Sequence, residues 1–242
     1  MTGVGTIVNA GAVIVGGLAG AVLKNGIPER YKKIVMQAIG LSVVFIGISG
    51  TIKEMVTIVN GNKLDRQYIM LMIFSLVIGG LVGEFLKIEK RLENLGTWFQ
   101  KRIPDKGGSF SDGFVTASLV FCVGTMAIMG ALEDGLSGNP STLFAKSVLD
   151  GVTALIFAST LGIGVSFSAI PILVYQGGIT LLAGVVKPWL TPEVVSQMSL
   201  IGGVLIFAIG INLLEIKKIN VGNLLPAVFI PVFYYIIRML FI

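Results

Sequence analysis

Four ionisable residues fall close together in an otherwise apolar stretch: Glu133, Asp134, Lys146 and Asp150. Lys146 and Asp150 are four apart, so on a helix they share a face and can neutralise one another across one turn. One reading makes the four a polar vestibule or ion-coupling site. The other leaves all four solvated at a membrane surface, with Asp150 capping a helix that starts at Gly151. Further along, Ser159, Thr160, Ser166 and Ser168 flank Gly162 and Gly164, and Thr125 stands between Gly124 and Met126. Hydroxyls beside helix breaks can offer oxygens to a solute, or bond back to their own helix. Asn9, Gln176 and Asn212 are uncharged polar groups in or at the ends of apolar runs, where each needs a partner, and a bond between helices supplies one. A polar pathway is therefore expected with Glu133, Asp134, Lys146 and Asp150 near its outer mouth and Thr125, Ser166, Ser168 and Gln176 deeper.

Other chemistry is thinly provided. The chain has no histidine, which removes Ser–His and Cys–His catalytic pairs, imidazole haem ligation and the usual zinc sites. Its single cysteine, Cys122, sits in an apolar run and cannot form an intrachain disulfide. Asp134 and Asp150 could in principle form an aspartyl pair, but they lie in no recognised intramembrane-protease motif. A phosphate-cradling nucleotide motif is also missing. No catalytic residue, metal site or cofactor is assigned.

The elements that must hold these residues follow from composition. Of 242 residues, 54% are hydrophobic and 13% charged, against about 25% charged in an ordinary soluble domain. Mean hydropathy is +0.91. No single soluble core of this size could hide so much apolar surface, so the expected fold is an all-α, polytopic transmembrane helix bundle in a lipid bilayer. The net charge of +5 then belongs to loops and reports topology, not nucleic-acid binding.

With ~20 apolar residues needed per crossing, eight spans are read: 4–23, 34–52, 68–86, 114–132, 143–163, 169–186, 194–214 and 224–241. The whole chain, 1–242, is expected to form one transmembrane domain. Between Gly151 and Val186 no charge occurs, so the fifth and sixth spans are either two complete helices or seven spans plus a re-entrant segment. Residues 87–112 form a basic connector in which Ile88, Leu92, Leu95 and Phe99 recur at helical spacing. It reads as a helix on the membrane surface or as a continuation of the third span. Twelve Lys and Arg fall on one side of this arrangement and six on the other. The richer side, with 24–33 and 87–106, should be cytoplasmic and both termini outside.

The first and third spans share a pattern. Residues 13–24, VIVGGLAGAVLK, match residues 76–87, LVIGGLVGEFLK, at six of twelve positions. Hairpin 4–52 is therefore expected to superpose on 68–132, and, inverted, on 169–214, which would make inverted repeats. Small residues spaced by four, such as Ala12, Gly16 and Gly20, let helix backbones approach closely. They also make self-association into a homo-oligomer an expectation.

One resemblance is specific. Residues 121–138, FCVGTMAIMGALEDGLSG, together with 143–151, LFAKSVLDG, then FASTLGIGV and YQGG, resemble the YdfK/YqgA-like family of uncharacterised bacterial membrane proteins, domain of unknown function 554. The similarity runs over essentially the whole chain, with Thr125 standing where many members are expected to carry proline. It implies a multi-pass protein of the bacterial plasma membrane and supplies no activity. The expected function is a transport protein, secondary transporter or channel, for a small polar solute or ion. A non-catalytic membrane scaffold or regulator is the alternative, and an intramembrane enzyme is least expected.

Overall fold

The computed structural model describes residues 2–24, 28–59, 63–101, 110–122 and 125–241. In chain order the helices are α1 (Val4–Lys24), α2 (Glu29–Met55), α3 (Ile69–Leu86), α4 (Ile88–Gln100), α5 (Phe110–Cys122), α6 (Thr125–Ser137), α7 (Ser141–Leu161), α8 (Ala169–Leu181), α9 (Ala183–Val186), α10 (Pro192–Leu213), α11 (Val221–Leu224) and α12 (Ile230–Phe241). Single 3-10 segments, Ile163–Ser168 and Leu225–Phe229, precede α8 and α12. The expected helix bundle is present, with one addition. Between α2 and α3 the strands β1 (Val56–Val59) and β2 (Lys63–Arg66) pair antiparallel, Val56 opposite Arg66 and Val59 opposite Lys63. The run Val-Thr-Ile-Val before Asn60-Gly61 is a hairpin signal, masked in the sequence reading by the apolar helix before it.

Among the described residues, seven helical segments are long and apolar enough to cross a membrane, and the pair Phe110–Cys122 and Met126–Ser137, bent by 62°, makes an eighth when taken as one span. The break thus falls in the fourth span, while the fifth and sixth are two separate candidate spans, the first of the two readings the sequence left open. There, α7 is an unbroken helix of 21 residues, and a candidate span runs on from Ile163 to Leu181. The chain turns between them at Gly162, whose φ of 87° a residue with a Cβ rarely adopts. In the connector, Lys87 adopts a left-handed conformation, φ 52° and ψ 46°, which ends α3 before α4 begins. Within that connector, residues 102–109 lie outside the described residues, as do the side chains of Leu95 and Phe99.

The chain forms two compact units, each assembled from separated segments: residues 1–39, 90–122 and 126–187, and residues 40–89, 123–125 and 188–242. In the first unit, α1 lies along α7 in the same direction: Gly5 meets Leu143, Gly16 meets Gly151 and Gly20 meets Leu155 and Ala158. In the second, α2 runs against α10, with Gly40 at Leu214, Gly47 at Phe207 and Glu54 bonded to Ser196. There too α3 runs against the α11–α12 segment, with Gly79 at Ala227 and Gly83 at Asn223.

Many large apolar side chains on these helices are exposed, among them Val15, Val22, Phe45, Leu81, Phe85, Val148 and Val174. In water such surface would drive aggregation; in a bilayer it faces lipid. Local caps follow ordinary rules. Thr191 accepts a hydrogen bond from the Val194 amide at 3.3 Å, ahead of Pro192 and Glu193 in the first turn of α10. Asn212 closes the other end, donating to the Ile219 carbonyl and accepting from the Ile219 amide, each at 2.8 Å. Its partner is thus the following loop, not another helix.

Candidate functional site

A polar cluster lies inside the first unit, where α1, α7 and α8 pack together. Its elements come close because their contact faces carry small residues. On α1, Gly16 and Gly17 meet the Gly151 backbone of α7 and Ser166 of the 3-10 segment. One turn and more before them on α1, Asn9 is fully buried. It is also the hub of the cluster. The Asn9 Nδ2 donates to Asp150 Oδ2 at 3.1 Å and to Gln176 Oε1 at 3.2 Å. Lys146 forms an ion pair with the same Asp150 oxygen. The side chains of Lys146 and Asp150 are only 8% and 10% exposed, so both lie in the interior of the unit. Asp150 is also the tenth residue of α7 and therefore no helix cap. Beyond this layer, the Thr6 and Thr180 hydroxyls approach to 3.5 Å.

Asp134 is buried but has a different task. Its two carboxylate oxygens accept from the amides of Gly3 and Gly5 at 3.1 and 3.0 Å. Those amides open α1 and have no partner within the helix, so the carboxylate satisfies them and offsets the positive end of the helix dipole. Glu133 is half-buried and accepts from the Thr142 hydroxyl at 2.7 Å, tying α6 to the first turn of α7. Asp134 and Asp150 share no hydrogen-bond partner among the described residues. Replacing Asp134 by alanine should cost about 1–2 kcal/mol by uncapping α1, seen as a lowered unfolding temperature of the purified protein in detergent.

The deeper residues of the expected pathway divide. Gln176 joins the Asp150 layer through Asn9, at the same level as the charged pair and not below it. Ser168 bonds back to the Val165 carbonyl at 2.7 Å, as Ser159 and Thr160 do to Ile156 and Phe157. The Ser166 hydroxyl is buried without a hydrogen-bond partner and faces Gly17. Thr125 opens α6; its side chain, with residues 123 and 124, lies outside the described set. The end of α5 before the break in the fourth span packs on α7, where Phe121 stacks on Phe157 with ring centres 6.2 Å apart.

Asn9 is the central residue the sequence reading placed outside the pathway. It was legible as a polar group in an apolar glycine-rich run, but not its partners, which lie more than 140 positions away. The second unit has a smaller polar group. Glu84 accepts from the Asn223 amide at 2.6 Å, and Asn223 accepts from the Glu89 backbone at 2.7 Å.

The family model described as "Protein of unknown function (DUF554)" matches residues 4–236. The chain belongs to the DUF554 family. Two relatives in that size range align over almost their whole length. This DUF554 protein is 35% identical over 227 residues to the uncharacterized membrane protein YdfK of Bacillus subtilis (strain 168), covering 94% of this chain and 93% of YdfK. It is 34% identical over 231 residues to the uncharacterized protein YqgA of Escherichia coli (strain K12), covering 93% and 92%. No solved structure matches. The DUF554 chain described here is a membrane protein, and neither relative's name carries an activity.

Proposed function

We propose that this DUF554 protein is a transport protein, a secondary transporter or a channel, that moves a small polar solute or ion through the first unit. The observation that carries the reading is the buried Asn9–Asp150–Lys146–Gln176 cluster. A charge at the centre of a membrane helix costs on the order of 2.5–3.5 kcal/mol on insertion scales, and such groups mark substrate and ion paths. A plain packing core has no use for a lysine and an aspartate, because apolar residues of similar volume pack at least as well. The broken fourth span, whose first half packs on the helix that carries the pair, supports the same reading, since interrupted helices at depth commonly line solute sites. Both acidic groups that an intramembrane enzyme would use are engaged elsewhere, which favours a non-enzymatic role.

Purified protein in liposomes tests the proposal. Wild type should move at least one labelled solute or ion above the rate of protein-free vesicles, and Asp150→Asn, if it accumulates normally, should lose that flux. Wild-type vesicles that pass none of a broad panel would leave a non-catalytic scaffold as the better reading.

The same proposal carries a sidedness. Eight crossings place both ends of the chain on one side, and the twelve-to-six excess of Lys and Arg puts 24–33 and 87–106 in the cytoplasm of a bacterial cell and the ends outside it. Single cysteines at positions 2 and 101 in a Cys122→Ala background should label from outside at position 2 alone. Labelling at 101 would reverse the orientation.

A further inference from the structure

The amide pair Asn9–Gln176 has a polarity that its neighbours impose. The Asp150 oxygen that faces Asn9 also accepts from Lys146, whose side chain can only donate, so the Asn9 atom turned toward it must be the donor Nδ2. That same Nδ2 also meets Gln176 at 3.2 Å, so Gln176 must turn its acceptor Oε1 toward it. Both amides are thereby fixed, because flipping one would set acceptor against acceptor or donor against donor. Two atoms remain. Asn9 Oδ1, an acceptor, and Gln176 Nε2, a donor, are buried and have no hydrogen-bond partner among the described residues. Both residues are 0% exposed. Buried amide groups left in this state carry an uncompensated loss of hydration, and few survive in a protein without a reason.

The charges beside them cancel. Lys146 and Asp150 are committed to each other, and Asp150 also holds Asn9. A bare cation would have to compete with Lys146 for the carboxylate, and an anion would have to pull Lys146 from it. Either would enter this layer without compensation for its lost hydration. A neutral molecule that brings one donor and one acceptor leaves the ion pair intact and completes the amides.

Resting on the transport reading above, we infer that the Asn9–Gln176 pair is the recognition element for a small uncharged solute bearing neighbouring hydrogen-bond donor and acceptor groups, of the amide, urea or polyol class. Asn9 Oδ1 accepts from the solute N–H or O–H, and Gln176 Nε2 donates to its carbonyl or hydroxyl oxygen. Lys146 and Asp150 hold Asn9 in the required orientation and are positioning residues.

The test uses the full chain in liposomes with four probes: urea, glycerol, methylammonium and formate. Urea or glycerol should enter several times faster than into protein-free vesicles, and neither ion should. Gln176→Met removes the donor while leaving the Asn9–Asp150 bond, and should reduce neutral-solute flux roughly tenfold or more, as sites built to hydrogen-bond a ligand do when a partner is lost. A second measurement needs no variant. Acetamide and acetone have nearly the same shape but differ in the N–H donor, so acetamide should inhibit urea flux at roughly a tenth of the acetone concentration or less. Flux of methylammonium or formate without flux of the neutral probes overturns the inference and leaves transport standing. Urea flux unchanged by Gln176→Met, or equal inhibition by acetamide and acetone, also overturns it. If none of the four probes moves but another solute does, the class is wrong; if nothing moves at all, the transport reading fails with it.

Discussion

Replacing Asp150 by leucine while Lys146 remains is expected to destabilise the protein by about 3–5 kcal/mol, the range for stranding one member of a buried pair. Lys146→Met should cost less. The reason lies in the partners: Asp150 is held by Lys146 and also by Asn9, so without Lys146 the carboxylate keeps one donor. Without Asp150, the ammonium group loses its ion-pair partner and Asn9 loses one of its two acceptors. The double variant Lys146→Met, Asp150→Leu should recover most of the loss, because no buried charge is left and Asn9 still donates to Gln176. A double-mutant cycle read by thermal unfolding in detergent, with accumulation in membranes as a second readout, measures the coupling. Additive single effects would show that the two charges are independently solvated and would remove the basis for a pathway here.

The membrane bundle was legible because it follows from quantities that sum along the chain. Apolar content, the lengths of the apolar runs and the loop charges each report the bilayer without reference to any contact. Individual spans were also found to within a few residues, except where two kinds of signal overlap. The hairpin at 56–66 was lost in the tail of an apolar helix, and the bend in the fourth span falls where no proline marks it. At the site, Lys146 and Asp150 could be paired from their spacing alone, since four residues make one helical turn. Gln176 and Asn9 could each be singled out as polar groups in apolar runs, but not brought to the same layer, because their separation of 167 positions is closed by tertiary packing. Asp134 shows the opposite limit. Beside Glu133 it looks like part of a mouth, and only the placement of Gly3 and Gly5 against it identifies a helix cap.

The shared Gly-Gly-Leu-x-Gly motif makes the other large prediction. In the first unit, Gly16 and Gly20 of α1 sit directly on the carbonyls of Gly151 and Leu155 in α7; in the second, Gly79 and Gly83 of α3 sit on the Ala227 amide and the Asn223 carbonyl. A Cβ at any of these four would land inside a backbone atom, which cannot rotate away as a side chain can. Gly16→Ala and Gly83→Ala should therefore force helix axes apart at a cost of roughly 3 kcal/mol, the upper part of the overpacking range. Gly11→Ala, Gly178→Ala and Gly184→Ala serve as controls, because nothing lies within 4 Å of the added carbon at those positions, and alanine favours a helix by up to about 1 kcal/mol over glycine. The comparison, run as accumulation in membranes and unfolding temperature in detergent, separates close approach from mere glycine content. The Gly16→Ala variant has a second consequence. It should loosen α1 against α7 and so stretch the bond from Asn9 to Asp150, two turns away on the same helix, lowering the flux of whatever solute the wild type carries. Equal tolerance of alanine at the motif and control glycines would mean that these helices are not packed backbone to backbone, and the positioning of Asn9 would need another cause.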